Sequence, residues 1–269
     1  MWVTCTVFAL SMFYAAAQEV TNTNRTVALD IENIENVPDV TKIINLKDVY
    51  ARKVFFARDC DELYQLGYRK NGLYIIRPDN SIMIVVQCYM HDCGGWTVIQ
   101  KNSFNTEITW SVAWKTYKFT FGNMASDHWL GHYYIHLLTV QKWNKVKIIL
   151  VDSKNTTRYA EYDSIYVKDE DHGYQLRLGT YSGDAGDSMT SSSLINMHDN
   201  MKFSTHDRDN DRSHNKNCAD KHGGGWWYDS CYVAQLNKQN GIHWATLCDH
   251  NCRKSIIMIA PIQMHCYRV

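Results

Sequence analysis

The chain has 269 residues, 45% hydrophobic and 13% aromatic, and its 28 basic residues cancel its 28 acidic ones. Zero net charge excludes a general nucleic-acid binder and a polybasic membrane-surface protein, because both depend on a positive field. The apolar content excludes wholesale disorder, and 9 Trp with 17 Tyr promise large rigid contact surfaces.

Residues 1–17 read as a secretory signal. An apolar run from Val7 to Tyr14 leads into Ala15-Ala16-Ala17, a small-residue cleavage site before Gln18. Glu19 and the polar run behind it arrive too soon for a membrane anchor, which needs about 20 apolar residues, and no later segment is apolar enough to span a bilayer. With Cys5 inside the signal, eight of the nine cysteines remain, an even number that suits disulfides in a secreted chain. Sequons at Asn24-Arg25-Thr26 and Asn155-Thr156-Thr157 mark Asn24 and Asn155 as glycosylation sites in the same compartment. The expected location is extracellular.

Residues 18–59 read as an N-terminal tail or linker. Ile31, Ile34, Val37 and Val40 are spaced by three, but Pro38 interrupts any helix there; Ile43 to Tyr50 could form one short docked helix. No sustained heptads predict a long coiled coil. From Cys60 to the end, residues 60–269, the texture is that of one α+β domain. Leu73–Ile76 and Ile82–Val86 flank Pro78-Asp79-Asn80-Ser81 and predict a hairpin. Gly94-Gly95 breaks the chain before a strand at Trp96–Ile99. Trp110, Trp114 and Tyr117 fall at i, i+4 and i+7, which predicts a helical core face. Strands are predicted at 145–151, 158–167 and 174–178, the last with Tyr174, Leu176 and Leu178 alternating with polar residues. Regularity then fades. The stretch 179–231 is rich in Gly, Asp, Asn and Ser, and long loops of this kind carry function or need staples.

Four constellations stand out. Asp207, Asp209 and Asp211 alternate in a loop and offer the hard oxygens that calcium takes six to eight at a time, although a solvated acidic turn has the same pattern. An EF-hand register fails, since Arg212 stands where glycine is needed and Cys218 where glutamate is needed. His206, His214 and His222, together with Cys248-x3-Cys252, raise zinc as a minor rival, without the His-Glu-x-x-His or paired Cys-x2-Cys spacings. Gly186-Asp187-Ser188 invites a serine nucleophile, but Met189 follows where a glycine is needed and no Gly-x-Ser-x-Gly elbow exists, so catalysis is not expected. Gly223-Gly224-Gly225-Trp226-Trp227-Tyr228 either seals a core or walls a pocket.

These blocks, in order, resemble a fibrinogen C-terminal (fibrinogen-related) domain from Cys60 to about Pro261. The matching stretches include Asp59-Cys60-Asp61-Glu62-Leu63, Asn71-Gly72-Leu73-Tyr74, Gly94-Gly95-Trp96-Thr97-Val98-Ile99-Gln100 and Trp129-Leu130-Gly131. Further on come Tyr181-Ser182-Gly183-Asp184-Ala185-Gly186-Asp187-Ser188, Phe203-Ser204-Thr205, Asn217-Cys218-Ala219, Gly224-Gly225-Trp226-Trp227-Tyr228 and Gly241-Ile242-His243-Trp244.

The resemblance implies a twisted antiparallel sheet with short helices and a loop-rich C-terminal calcium subregion. It implies bridges Cys60–Cys88 and Cys218–Cys231, with a cis peptide before Cys231. It implies one Ca2+ held by the side chains of Asp209 and Asp211 and carbonyls near Ser213 and Asn215; one extra residue before Cys218 makes Lys216 an alternative for the second carbonyl. Lectin-like relatives bind acetyl groups beside the second bridge, which points to His222, Cys231 and Tyr232 as ligand-binding residues. Here the family's Cys-His pair is Cys231-Tyr232, and its Ser-Asn is Ala234-Gln235. Cys93, Cys248, Cys252 and Cys266 fall outside the two family bridges, and either pair within the chain or link protomers. The expected function is a secreted, non-catalytic recognition protein whose partner is an extracellular protein receptor, with an innate-immune lectin for acetylated glycans as the alternative. No nucleic acid and no membrane span are expected, and a homo-oligomer is allowed.

Overall fold

The computed structural model describes residues 56–91, 93–190 and 196–263. The signal, Asn24, the tail up to residue 55 and Cys266 lie outside the described residues.

Asp59 opens the helix α1 (Cys60–Gln65): its side chain accepts a hydrogen bond from the Glu62 N–H, filling one of the donors that a helix start leaves bare. The Cys60–Cys88 disulfide, Cα–Cα 5.6 Å, fastens α1 to the sheet. The chain then runs through β1 (Gly72–Ile76), β2 (Ile84–His91) and β3 (Gly94–Ser103), followed by α2 (Trp114–Lys118), β4 (Phe121–Gly122), β5 (His128–Trp129) and α3 (His132–Gln141). Next come β6 (Asn144–Val151), β7 (Thr157–Val167), β8 (Leu176–Leu178), β9 (Tyr181–Gly183) and α4 (Cys218–His222). The last elements are β10 (Ala234–Gln235), β11 (Ile242–Trp244), β12 (Cys248–Cys252) and β13 (Lys254–Pro261).

The main sheet is antiparallel with the order β1-β2-β3-β13-β6-β7-β8; β5 pairs with β3 and β4, and β9 with β7. The last strand of the chain thus lies in the middle of the sheet, with Ile257 opposite Gln100 on one side and Ile148 on the other. A strand so placed is covered on both faces. Ile257 and Ile259 enter the main core, while Ile256, Met258 and Ala260 pack with Trp96 and Val98 on the opposite face. This is the α+β architecture that the sequence predicts.

The predicted hairpin is β1–β2, with Tyr74 opposite Val86 and Ile76 opposite Ile84, but β2 starts at Ile84 and leaves Ile82 exposed. The predicted strands at 145–151 and 158–167 are β6 and β7. Two readings are corrected. Trp110, Trp114 and Tyr117 are all buried, yet α2 begins only at Trp114. Trp110 precedes the helix, held by an Nε1–H donated to Asn102 Oδ1 at 3.0 Å and by a carbonyl accepting from the Tyr117 hydroxyl at 2.7 Å. Tyr174 is buried but sits at φ 49° in a turn, so β8 covers only 176–178.

Two buried amides on the sheet set the position of the C-terminal loops. Gln100 Nε2 donates to Leu236 O at 3.0 Å and Asn237 Oδ1 at 3.1 Å. Asn102 Nδ2 donates to the carbonyls of Leu236 and Lys238, both at 2.8 Å. Buried amides without such partners would cost about 1–3 kcal/mol each, so β3 dictates where the small sheet β10-β11-β12 begins.

Candidate functional site

Of the three alternating aspartates, the fold separates one from the other two. Asp207, itself exposed, faces α2: its Oδ1 accepts from the Trp114 N–H at 2.8 Å and the Thr205 hydroxyl at 2.7 Å, so it caps the start of α2. Asp209 and Asp211 stay together in the loop. Asp209 Oδ1 accepts from the Asp211 N–H at 3.2 Å, and the two carboxyls are close enough to interact directly. Asp211 accepts the Ser213 N–H on Oδ1 at 2.8 Å and the Cys218 N–H on Oδ2 at 2.7 Å. Burial pushes the Asp211 carboxyl above the usual range, and the negative charge of Asp209 pushes the same way against those two donors.

The loop is fixed from both sides. Asn210 Nδ2 donates to Phe203 O at 2.7 Å, and its N–H donates to Ser204 Oγ at 3.0 Å. Asn217 caps α4 by accepting from the Asp220 N–H and spends its own amide on the carbonyls of Thr205 and His206. Of the sequence-predicted carbonyl donors, Ser213 is half-buried, and Asn215 and Lys216 are exposed.

Cys218 leads directly from this loop into the second bridge, Cys218–Cys231, Cα–Cα 5.5 Å, and the Ser230–Cys231 peptide is cis. Cys231 itself is buried. Tyr232 follows, half-buried, with its ring 4.9 Å from His222, 5.6 Å from His243 and 6.1 Å from His250. His222 and Tyr232, ten residues apart in the chain, therefore share one surface. Burial lowers the His222 pKa, and the positive charges of Lys238, Lys216 and Lys221 add to the effect. Trp226, Trp227 and Tyr228 are core, not pocket wall: Trp227 Nε1–H donates to Tyr174 O, and the Tyr228 hydroxyl to Gly224 O, each at 2.8 Å.

Ser188 is fully buried, its Oγ 3.0 Å from the Thr246 hydroxyl, while Asp187 accepts from Tyr162, Met189 and Thr190. Both side chains brace the loop, and Ser188 is sealed away from substrate. Asn155 is exposed in the turn between β6 and β7. A cavity of ≈ 630 Å³ lined by Arg77, Lys118, Phe119 and Tyr133 contains none of the sequence-predicted site residues.

Cys248 and Cys252 are bonded to each other, so neither thiolate is a metal ligand; Cys93 is disulfide-bonded as well. The short Cys248–Cys252 ring presents Asp249 and His250 beside His243, a cluster that the sequence reading missed. The signal for it was present: a five-residue cystine loop carrying Asp-His, close behind Gly241-Ile242-His243-Trp244.

The geometry agrees with the comparisons. Residues 56–261 match the family model for the fibrinogen beta and gamma chains, C-terminal globular domain. The chain is 46% identical over 215 residues to fibrinogen-like protein 1-like protein of Gallus gallus, covering 78% of this chain and 75% of the relative. It is 40% identical to fibrinogen-like protein 1 of Homo sapiens, covering 70% and 66%, and 41% identical to techylectin-5A of Tachypleus tridentatus, covering 66% and 61%. The chain thus spans about two thirds of the length of the human relative. Among solved structures, the fibrinogen-like globe domain of human ANGPTL2 superposes with a TM-score of 0.71 at 34% identity, covering 76% of this chain and 99% of that one. The family is one of non-enzymatic recognition proteins. The chain belongs to the fibrinogen C-terminal domain family.

Proposed function

We propose that this chain is a secreted recognition protein that binds an extracellular protein through the surface beside its Cys218–Cys231 bridge, with one structural calcium holding the loop behind that surface. The observation that carries the protein-ligand reading is the position of Tyr232. Its ring, packed among His222, His243 and His250, tiles the surface that follows the bridge with aromatic and imidazole groups, the side chains that supply rigid contact area in protein interfaces.

Calcium fits the donor set. Two carboxylates meet in one loop, and the repulsion between Asp209 and Asp211 is what a divalent cation relieves. The side chains of Asp209 and Asp211 hold the ion, with the carbonyls of Ser213 and Asn215 completing the protein's share. The ion would supply charge neutralisation and fix the chain leading into Cys218. The exposed Asn155 is the proposed glycan attachment point.

A lectin reading has two observations in its favour: the bridge stands beside a cis Ser230–Cys231 peptide, and techylectin-5A is a relative. The test passes the secreted protein over acetylated and plain resins, with calcium and then with chelator. The protein-ligand reading expects no retention by a folded, calcium-stabilised protein. Calcium-dependent retention on the acetylated resin alone would replace it with the lectin.

A further inference from the structure

We propose that His243, Asp249 and His250 form a zinc site, separate from the calcium loop and sharing none of its residues. Their donor atoms all lie within 4.8 Å of one another. His243 Nδ1 is 3.3 Å from Asp249 Oδ1, and His250 Nε2 is 3.5 Å from the same oxygen. In a tetrahedral zinc site with ligands at about 2.0–2.1 Å, neighbouring donors stand roughly 3.3 Å apart. The two short edges of this triangle therefore already have the spacing of a zinc polyhedron, and the third closes with a small rotation of an exposed ring.

Three further features separate the cluster from a chance gathering on the surface. The His243 Nδ1 atom is buried and makes no hydrogen bond; it faces Asp249 at 3.3 Å but out of alignment for one. A buried ring nitrogen left over beside a carboxylate is what a shared cation between them would satisfy. The His250 Nδ1 atom lies 3.4 Å from the Gly241 carbonyl, which leaves Nε2 as the coordinating nitrogen; orienting a ligand imidazole through its other nitrogen is the usual arrangement behind metal sites. The two imidazoles are stacked, centroids 4.4 Å apart, so both rings stand side by side next to the same carboxylate.

The backbone supports the arrangement. His250 has φ 56°, a left-handed conformation uncommon for a residue with a side chain, at the middle of the ring that Cys248 and Cys252 close. That ring turns both Asp249 and His250 towards β11, where His243 stands opposite in the same small sheet. Two imidazoles and one carboxylate favour zinc over calcium or magnesium, which take oxygen ligands. Three protein donors leave a fourth position for water or for a donor group from a bound partner. The Tyr232 ring borders it, so the metal would stand at the edge of the proposed recognition surface.

The experiment titrates zinc into the full secreted chain by calorimetry, after chelation and return to millimolar calcium, so that the calcium loop is constant throughout. One zinc per chain is expected. His243→Gln and His250→Gln should each weaken it by about tenfold or more, and so should Asp249→Asn, which alters a largely exposed side chain and leaves folding intact. His172→Gln, at the exposed His172–Asp169 pair, should bind as wild type. Cobalt substitution adds a second readout, because tetrahedral cobalt bands should appear in wild type and vanish in the three variants. No zinc uptake by the wild type, or zinc bound equally well by all three variants, overturns the proposal.

Discussion

The Arg212 guanidinium grips both oxygens of the Asp229 carboxylate, Nε to Oδ1 at 2.6 Å and Nη2 to Oδ2 at 2.7 Å. Arg212 belongs to the acidic loop and Asp229 to the turn before the cis peptide. The Arg212 N–H also donates to Asp229 O, so backbone and side chain make the same connection. The Asp229 side chain is only 8% exposed, and removing its partner strands a buried carboxylate. Arg212→Ala should lower stability by about 1–3 kcal/mol in urea unfolding at neutral pH. Arg212→Lys should recover little of it, since an ammonium cannot serve both oxygens in the plane of the fork.

His198 makes stability depend on pH. It is fully buried; its Nε2 accepts from the Ala234 N–H at 2.9 Å, which obliges Nδ1–H to donate to Trp227 O at 2.8 Å. Burial pulls its pKa down to about 4, against the opposing pull of the Trp227 hydrogen bond. The unfolded imidazole takes a proton near pH 6.5 and the folded one only near pH 4, so the unfolded state binds more protons between those values. Stability therefore falls as pH drops from 6.5 to 4, by roughly 3 kcal/mol from this group alone. Buried His128 and His132 act in the same direction. His198→Gln should reduce the slope of unfolding free energy against pH by up to about 1.4 kcal/mol per unit in that window, leaving the contribution of the other histidines that burial lowers.

Much of this fold is legible in the sequence, and what is not has identifiable causes. The β1–β2 hairpin, β6 and β7 follow from apolar runs and turn residues within a few positions of each other. The helix α3 has no clean apolar stripe: His132, Tyr134, Ile135, Leu138 and Thr139 are buried together, mixing polar and apolar types on one face. The strands β10 and β11 have two and three residues, too few for a period, and β12 shows three exposed polar residues between its cysteines. No local signal says that β13 belongs at the centre of the sheet, because that follows from pairing with β3 and β6. The site divides in the same way. Spacing alone offers Asp207, Asp209 and Asp211 alike; only the family resemblance singles out the last two, and the fold turns Asp207 to the start of α2. The surface joining His222, Tyr232, His243 and His250 exists only after β11 and β12 have folded beside the bridge.

Gly95 is required by a contact, not by its own backbone angle. A Cβ there would overlap the carbonyl oxygen of Cys60. That carbonyl cannot retreat easily, since Cys60 is bonded to Cys88 and its N–H donates to Thr97 Oγ1 at 3.2 Å. Gly95→Ala should cost about 1–3 kcal/mol by overpacking. Circular dichroism should show it as a lower melting temperature with unchanged disulfide content.

On the proposed calcium reading, Asp209 and Asp211 should part company in chelator. Asp211 serves the apo loop as well, because its carboxylate holds the Ser213 and Cys218 N–H groups, whereas exposed Asp209 accepts one long bond from Asp211. In chelator, Asp209→Ala should melt close to wild type, while Asp211→Ala should lose about 1–3 kcal/mol from two donors left without an acceptor. Adding calcium at about a hundred times its dissociation constant should stabilise wild type by roughly 2.7 kcal/mol and neither variant. If Asp209→Ala gained as much as wild type, the ion would not be held by this pair of carboxylates. If both variants fell equally in chelator, Asp209 would have a structural role that the hydrogen bonds of the loop do not show.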